Sequence, residues 1–379
     1  LGNTNYVSAR LSVVADLTPD IENYTIFRYS DSDTYGNVPK IINGSPVAGF
    51  PYSAASLQGV LGPLAAAQVA RASGKDFWTV ENNIANPREK QTMWQVINTT
   101  TWKASDTLTI KNIISYAHFR EETAFDLFGD NSIYPAGYPT SLFVPGFTGS
   151  PAGRAGGIQI KTGPSGDYAN QNTFTEEFQL QGHSANGRFD WQAGAYLEIS
   201  NPGNFNSGSN EIFIECSNPV TFQCSTSSFL YGFGLTNISV SSIKNFYNNK
   251  GIYAQGTYKL TDRLGITAGI RYTMDRMRDE SYNINASIQP AGPPLFICQN
   301  PFFPGTSTTQ VGPGCASRDT DGSIGIRQNS NAPTWTIDLE YKANDNLNLY
   351  AKYSRGYRQG SIISGNFAFP KFSPEQVDT

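Results

Sequence analysis

The residues that could perform chemistry in this sequence are few, and the four cysteines are the clearest group. They lie in irregular stretches as two close pairs, Cys216 with Cys224 and Cys298 with Cys315. Four cysteines allow three pairings, and proximity along the chain favours the two local ones. Zinc binding is the alternative, but neither pair has CxxC spacing and the two histidines lie elsewhere. The cysteines therefore predict two disulfides and an oxidising compartment outside the cytoplasm.

No arrangement of acidic, basic or nucleophilic residues in the sequence predicts catalysis. Two histidines are too few for a persuasive network of bases. Glu176 and Glu177 are adjacent carboxylates, but neighbouring residues of a strand point to opposite faces, so they cannot act together. Asp319, Asp321 and Asn329 could bind calcium, and a solvated loop is the simpler interpretation. We therefore expect no enzyme, no bound metal and no cofactor.

The composition indicates an all-β protein with long turns. Aromatic residues make up 13% of the 379 residues, charged residues only 15%, and 36 residues are glycine. The net charge of −4, without a run of Lys or Arg, excludes nucleic acid as a partner. The sequence has no stretch of about 18 apolar residues, as a transmembrane helix would need. A transmembrane barrel instead places its apolar residues at every second position.

Alternation of apolar and polar residues identifies the strands. Every second residue is apolar in 252–260 and again in 264–272, on either side of the short turn 261–263. This pattern predicts a β-hairpin with one apolar and one polar face. We count about ten strands of roughly 10–14 residues in five hairpins, the length that a tilted membrane-crossing strand requires. The other four short turns lie near 17–22, 105–107, 185–187 and 343–346.

Long connections separate these hairpins. Strict alternation of short turns with long loops predicts a transmembrane antiparallel β-barrel whose turns face the periplasm and whose loops face outside. A soluble sandwich or propeller is the alternative, but soluble strands average about five or six residues. The first long connection is expected to contain a short helix over 63–71, closed by Gly74. The long connections are 34–88, 122–171, 201–247 and 282–328.

Three segments resemble the barrel of TonB-dependent receptors. The segment 252–273, "IYAQGTYKLTDRLGITAGIRYT", is similar to the central barrel hairpin of that family. The segments 174–181 and 189–196 together resemble the preceding hairpin, and 349–360 with 372–378 resembles the strand and loop that follow. Each motif alone is weak, but the three occur in the correct order over roughly 90–379. The resemblance implies a 22-stranded barrel with a plugged lumen.

The same resemblance implies a function and a location. Receptors of this family reside in the outer membrane of Gram-negative bacteria and take up scarce solutes such as ferric siderophores, cobalamin or oligosaccharides. The implied partners are outer-membrane lipid and lipopolysaccharide, a small-molecule or metal-chelate substrate, and the TonB energy-transducing complex, which acts through a plug. We expect residues 1–379 to be a partial barrel domain that contains neither the plug nor the closing strands. A passive porin-like or structural barrel is the alternative.

Aromatic and basic residues are the predicted contacts to ligand or plug. Loops that carry Phe, Tyr, Asn and Ser with few charges can stack on flat or apolar ligand surfaces, although the same rings can also pack loop against loop. Arg271 and Arg358 are the expected basic contacts facing the lumen. The aromatic candidates are Phe125, Tyr134, Tyr138, Phe229, Tyr231 and Phe302.

The predicted strand over 347–360 ends in arginines and glycines. If its side chains alternate throughout, Gly356 and Arg358 face inward, and a β-bulge at Gly356 would exchange the two faces. The tyrosines of the outward set suit an interfacial aromatic girdle, and the arginine of that set would meet lipid head-group phosphates. The predicted girdle residues are Tyr353, Arg355 and Tyr357.

Overall fold

Antiparallel strands make up most of the computed structural model. Several predicted residues lie outside its described part, namely Cys298, Cys315, Tyr138, Phe302, Asp319, Asp321 and the side chain of Phe229. The structure describes residues 3–43, 55–84, 86–137, 152–225, 228–232, 234, 236–296, 324–363 and 371–379.

Twenty strands and two helices occur in this described part. In chain order they are β1 (Tyr6–Thr18), β2 (Ile21–Thr34), α1 (Ala55–Ala72), β3 (Arg88–Ser105), β4 (Leu108–Asp126), β5 (Ile133–Tyr134), β6 (Gly153–Arg154), β7 (Ile158–Thr162), β8 (Ala169–His183), β9 (Phe189–Pro202), β10 (Asn206–Ile212), β11 (Cys216–Asn218), β12 (Gln223–Cys224), α2 (Phe229–Gly232), β13 (Thr236–Lys259), β14 (Leu264–Ile288), β15 (Leu295–Phe296), β16 (Ile324–Asn344), β17 (Leu347–Arg358), β18 (Ser361–Ile362), β19 (Lys371–Phe372) and β20 (Glu375–Asp378).

The ten longest strands form five hairpins, as the sequence predicted. These hairpins are β1–β2, β3–β4, β8–β9, β13–β14 and β16–β17, each closed by a tight turn. Neighbouring hairpins also pair with one another, so all ten strands belong to one antiparallel sheet. We call the side of the sheet with the five turns the turn end and the opposite side the loop end.

Two short strands complete the sheet at the loop end. There β7 pairs with the last residues of β4, β10 pairs with β7, and the first residues of β13 pair with β10. Closer to the turn end, the β8–β9 hairpin takes the same place between β4 and β13. Between β4 and β13 the sheet is therefore completed by β8 and β9 near the turn end and by β7 and β10 near the loop end.

The strands are longer than the sequence predicted. The hairpin strands β13 and β14 have 24 and 25 residues, and their pairing runs from Lys259–Gly265 to Thr236–Ile288. Every backbone N–H and C=O group needs a hydrogen-bond partner, whether it lies in lipid or outside it. Strand pairing can therefore continue beyond the hydrocarbon layer of a membrane. The predicted long connections 201–247 and 282–328 therefore include residues 236–247 and 282–288, which belong to β13 and β14. Residues 375–378, also expected in a loop, form β20 on β17.

The sheet has one apolar and one polar face. The register of the strands places four large apolar side chains on the apolar face, all more than half exposed: Ile252 of β13, Ile270 of β14, Ile337 of β16 and Leu349 of β17. Rows of exposed large apolar side chains are typical of a surface that contacts lipid. The opposite, polar face carries Arg271 and the side chains around it.

A small apolar cluster lies at the loop end of β13 and β14. Ile214, Ile238, Val240 and Ile288 are buried together, and Cys216 and Cys224 pack against them. These two cysteines face each other across β11 and β12 and form a disulfide, as predicted. The disulfide therefore closes this short hairpin, and the two cysteines pack it against the extended part of the sheet.

The helix α1 lies in the first long connection. It contains the predicted segment 63–71 but begins earlier, at Ala55, and it passes through Pro63. The chain leaves the helix at Gly74, whose φ of 78° favours glycine. No helix of the described ranges is long and apolar enough to cross a membrane.

Candidate functional site

Arg271 lies at the centre of a cluster on the polar face. The register places it between Tyr253 of β13 and Thr334 of β16. Its guanidinium carbon lies 5.9 Å from the ring centroid of Tyr253 and 5.7 Å from that of Tyr196, and its Nε donates to Thr273 Oγ1 at 3.1 Å. These distances are within the range of cation–π attraction. Two tyrosine rings from neighbouring strands therefore flank the guanidinium.

The hydroxyl groups of both tyrosines bind carboxylates. Tyr253 donates to Glu177 Oε1 at 2.5 Å, and Tyr196 donates to Glu198 Oε2 at 2.8 Å. Asn249 adds a hydrogen bond of 3.1 Å from its Nδ2 to Glu198 Oε1. We call the set Glu177, Tyr196, Glu198, Tyr253 and Arg271 the Arg271 cluster. It holds one positive and two negative groups.

Two glycines make room for this arrangement. A Cβ on Gly251 would lie 2.6 Å from an Nη atom of Arg271, and a Cβ on Gly194 would lie 2.6 Å from Cζ of Tyr253. Real Cβ atoms do not approach other atoms so closely. The glycines allow the large side chains of neighbouring strands to lie flat across the sheet.

Tyr357 lies on the polar face, which corrects its predicted place in a lipid-facing girdle. Its hydroxyl donates to Asp275 Oδ2 at 3.0 Å. Asp275 is four residues beyond Arg271 on β14 and therefore shares its face. The pairing between β16 and β17 ends at Trp335–Arg355, and only β20 continues along β17. The Tyr357 side chain thus reaches the polar face, although β17 pairs with β20 through Gly356 without a bulge.

Tyr353 and Arg355 lie on the apolar face, and their contact with the membrane interface stays a prediction. Arg355 stacks over the ring of Trp335, with its guanidinium carbon 4.4 Å from the ring centroid. It also forms two hydrogen bonds of 2.6 Å to the carboxylate of Asp378. Asp378 is therefore the counter-charge that the structure provides for Arg355.

Arg358 is not part of the Arg271 cluster. It ends β17, where its guanidinium lies 3.7 Å from the carboxylate of Glu375 on β20. Both side chains are mostly exposed, so the ion pair contributes little stability. The sequence predicted Arg271 and Arg358 as a pair of lumen-facing contacts. In the structure Arg271 contacts Tyr196 and Tyr253, whereas Arg358 contacts Glu375.

The described aromatic candidates of the loops pack against protein. Tyr134 is only 2% exposed and lies over Gly153. Phe125 is half-buried on β4, where it pairs with Ile160 of β7. Tyr231 packs against the apolar cluster around Ile238. The rings of Tyr134 and Tyr231 thus pack against other parts of the chain, and the buried Tyr134 presents no surface for a ligand.

Glu176, Glu177 and Asn329 lie in the sheet. Glu177 belongs to the Arg271 cluster and pairs with Tyr196, while Glu176 pairs with Leu197 on the other face. Asn329, a calcium candidate, is exposed on β16 opposite Arg276. The two glutamates therefore face opposite sides, as expected.

Sequence reasoning missed two exposed aromatic residues at the loop end. Phe77 and Trp78 follow α1, are 66% and 68% exposed, and contact each other edge to face with ring centroids 5.1 Å apart. Lys40 places its Nζ 5.0 Å from the centre of the Phe77 ring. Two adjacent aromatic residues soon after a helix-ending glycine were the available signal. The tyrosines of the Arg271 cluster could also have been found from the sequence, because the alternation along their strands assigns them to the same polar face as Arg271.

Comparison with protein families decides the identity of the fold. The family model described as "TonB dependent receptor-like, beta-barrel" matches residues 10–379. The chain belongs to the TonB-dependent receptor family. TonB-dependent receptors are β-barrel proteins of the Gram-negative outer membrane, and this is the location of the chain. A search of curated proteins finds no match.

Two solved structures have a similar fold. The ferric yersiniabactin uptake receptor FyuA from Yersinia pestis is 9% identical with a TM-score of 0.52, and the match covers 98% of this chain and 40% of that chain. The siderophore receptor PiuA from Acinetobacter baumannii is 13% identical with a TM-score of 0.51, and the match covers 99% of this chain and 46% of that chain. This TonB-dependent receptor chain thus spans less than half the length of either structure.

Proposed function

We propose that the chain forms part of the barrel wall of a receptor that takes up a scarce solute with energy from the TonB complex. The observation that carries this proposal is the Arg271 cluster, a charged and aromatic group on the polar face of a sheet whose other face is apolar. The apolar face suits contact with outer-membrane lipid and lipopolysaccharide. The polar face would line the lumen, where Arg271 and the tyrosines can contact cargo or plug.

The proposed cargo is a metal chelate, such as a ferric siderophore, with a neutral or positively charged periphery. Membership of the TonB-dependent receptor family and the siderophore receptors of similar fold support a chelate. Glu177, Glu198 and Asp275 outnumber Arg271 on this part of the polar face. Such a surface disfavours a highly anionic ligand, because like charges repel where water is partly excluded.

Uptake measurements with the full-length receptor test this function. Cells with and without the receptor gene would be starved of iron and offered a panel of radiolabelled ferric chelates, in strains with active or inactive TonB. We expect uptake of a neutral or cationic chelate to require both the receptor and TonB. Uptake that continues unchanged without TonB would show a passive barrel and overturn the proposal.

A second experiment separates contact with cargo from contact with the plug. Arg271→Gln keeps hydrogen bonding but removes the charge, and Arg355→Gln on the apolar face is the matched control. We expect Arg271→Gln alone to lower uptake about tenfold or more, as the loss of one charge-assisted contact can. Weaker binding of the chelate to the purified receptor would assign the contact to cargo, and unchanged binding with lower uptake would assign it to the plug. Equal uptake by both variants would contradict a role for Arg271.

A further inference from the structure

A second group of polar side chains lies at the loop end and joins three segments of the chain. Asn83 follows α1, Asp126 ends β4, Asp130 comes four residues later, and Gly157 directly precedes β7. We call these four residues the loop carboxylate site. It belongs to a different part of the sheet from the Arg271 cluster and shares no residue with it.

Asp126 is held by the backbone. It is only 1% exposed, and its Oδ1 accepts hydrogen bonds of 3.0 Å from the N–H groups of Phe128 and Gly129. Its Oδ2 accepts one of 3.2 Å from the N–H of Asn83. Three backbone N–H donors therefore fix the position of the Asp126 carboxylate.

Asp130 lies beside this carboxylate without a cation. The carboxylates of Asp130 and Asp126 are close enough to interact directly. None of the ion pairs in the described ranges includes Asp126 or Asp130. Two carboxylates in contact in a partly buried place repel each other unless a proton or a cation lies with them.

The side-chain amide of Asn83 is a second, independent observation at this site. Its side chain is 1% exposed, yet neither its Nδ2 nor its Oδ1 has a hydrogen-bond partner, and Oδ1 of Asp130 has none either. The Nδ2 of Asn83 and both carboxylate oxygens of Asp130 lie within 2.7 Å of the point where Gly157 would carry a Cβ. The amide and the carboxylate thus converge on a place that only glycine leaves open. Buried amides without partners are rare and call for an ion or a water.

We propose that the loop carboxylate site binds a calcium ion. The carboxylates of Asp126 and Asp130 and the side-chain carbonyl of Asn83 are the oxygen ligands that Ca²⁺ prefers, and water completes the shell. A rotation of the Asn83 amide by half a turn presents its Oδ1 instead of Nδ2, since the two amide atoms have nearly the same shape. Calcium fits better than magnesium, because magnesium requires near-ideal octahedral geometry and gives up its waters reluctantly.

The proposed ion would connect the chain after α1, the end of β4 and the start of β7. The described residues include no group of three or more Asp, Glu, His or Cys side chains that could hold a metal. With two carboxylates, the expected dissociation constant is that of a weak extracellular site, about 0.1–1 mM. The ion would therefore stabilise the loop end at the calcium concentrations found outside cells.

Calorimetric titration of the full-length receptor tests the proposal. The receptor, purified in detergent and stripped of divalent ions with a chelator, would be titrated with calcium chloride and, separately, with magnesium chloride. Asp130→Asn is the test variant, and Asp262→Asn in the turn between β13 and β14 is the matched control. We expect Asp130→Asn to weaken calcium binding tenfold or more, Asp262→Asn to leave it unchanged, and magnesium to bind more weakly than calcium.

A gain-of-binding variant covers the case in which Asp130→Asn fails to fold. Asn83→Asp supplies a third carboxylate, so it should bind calcium more tightly than the natural receptor. Calcium should also slow proteolytic cleavage within 79–84 and 127–132 in the natural receptor. The proposal is overturned if the natural receptor binds no calcium at ten times the expected dissociation constant. It is equally overturned if a folded Asp130→Asn or Asn83→Asp receptor binds calcium as the natural receptor does.

Discussion

Gly194 and Tyr253 are direct cross-strand partners, and the tyrosine ring occupies the place where a Cβ of Gly194 would be. A Cβ there would lie 2.6 Å from both Cζ and the hydroxyl oxygen of Tyr253. The ring crosses β9 in this way and reaches Glu177 on β8. Glycine inside a strand normally weakens it, but here it allows three strands to share one hydrogen-bonded contact.

Substitution of Gly194 by alanine should therefore displace Tyr253 and break its bond to Glu177. Overpacking of this kind costs about 1–3 kcal/mol. The free energy of unfolding would be measured by urea titration of the refolded receptor in detergent. Gly265→Ala is the matched control, since a Cβ on this strand glycine meets only a backbone oxygen, at 3.9 Å. Equal losses from the two substitutions would contradict the close contact.

Two isoleucines of β13 should respond differently to truncation. Ile238 is completely buried in the apolar cluster, whereas Ile252 is 58% exposed on the apolar face. Ile238→Ala leaves a cavity and should cost about 2–4 kcal/mol. Ile252→Ala should cost clearly less in a detergent micelle, where the neighbouring atoms can fill the space. The same urea titration measures both variants, and a larger loss for Ile252→Ala would refute the assignment of the two environments.

Removal of the Cys216–Cys224 disulfide should loosen the hairpin of β11 and β12. The bond closes a loop with a sequence separation of 8, for which chain entropy gives a stabilisation of about 2–3 kcal/mol. We expect the Cys216→Ser/Cys224→Ser receptor to be cleaved faster by protease between 213 and 225. Either single serine variant should behave like the double variant, because each breaks the same bond. A cleavage rate equal to that of the natural receptor would show that packing on Ile238 alone holds the hairpin.

Acid should weaken the attachment of α1 to the loop end. The Glu81 carboxylate forms an ion pair with the Arg71 guanidinium at 3.0 Å, and the Lys75 ammonium lies 3.7 Å from the same carboxylate. Burial alone would raise the pKa of Glu81, but Arg71, Asn131 and Lys75 outweigh it and hold the pKa below the ordinary carboxyl value of 4.5. Since the pKa is lowered in the folded state, the stabilisation is present above about pH 4.5 and is lost as the pH falls through the folded-state pKa.

Proteolysis of the segment 73–84 as a function of pH measures this effect. An acid-stable protease should cleave the natural receptor progressively faster below about pH 4.5. Glu81→Gln should be cleaved faster at neutral pH and should lose this pH dependence, while Glu375→Gln, in an exposed ion pair, is the control. A natural receptor whose cleavage rate follows that of Glu81→Gln at every pH would contradict the prediction.

The sequence by itself determined the strands, their pairing into hairpins and the family. Alternation with a period of two is a local property, and a short turn between two such segments leaves antiparallel pairing as the simplest arrangement. The Cys216–Cys224 disulfide and the helix over 63–71 were predictable for the same reason, since each depends on residues close in the chain. The residues of the apolar face could likewise be predicted from the sequence, because neighbouring paired strands repeat the same alternation of apolar and polar residues.

Only the tertiary structure decided which side chains meet across strands. Arg271 could be placed on the polar face from its position, but its contacts with Tyr196 and Tyr253 depend on the register of three strands and on the space left by Gly194 and Gly251. The hydrogen bond from Tyr357 to Asp275 joins β17 to β14, two strands that are not neighbours in the sheet. The loop carboxylate site brings together residues from three segments that are up to 74 positions apart, from Asn83 to Gly157. Contacts between distant segments depend on packing, which no local pattern encodes, and for this reason the strands were predictable and the sites were not.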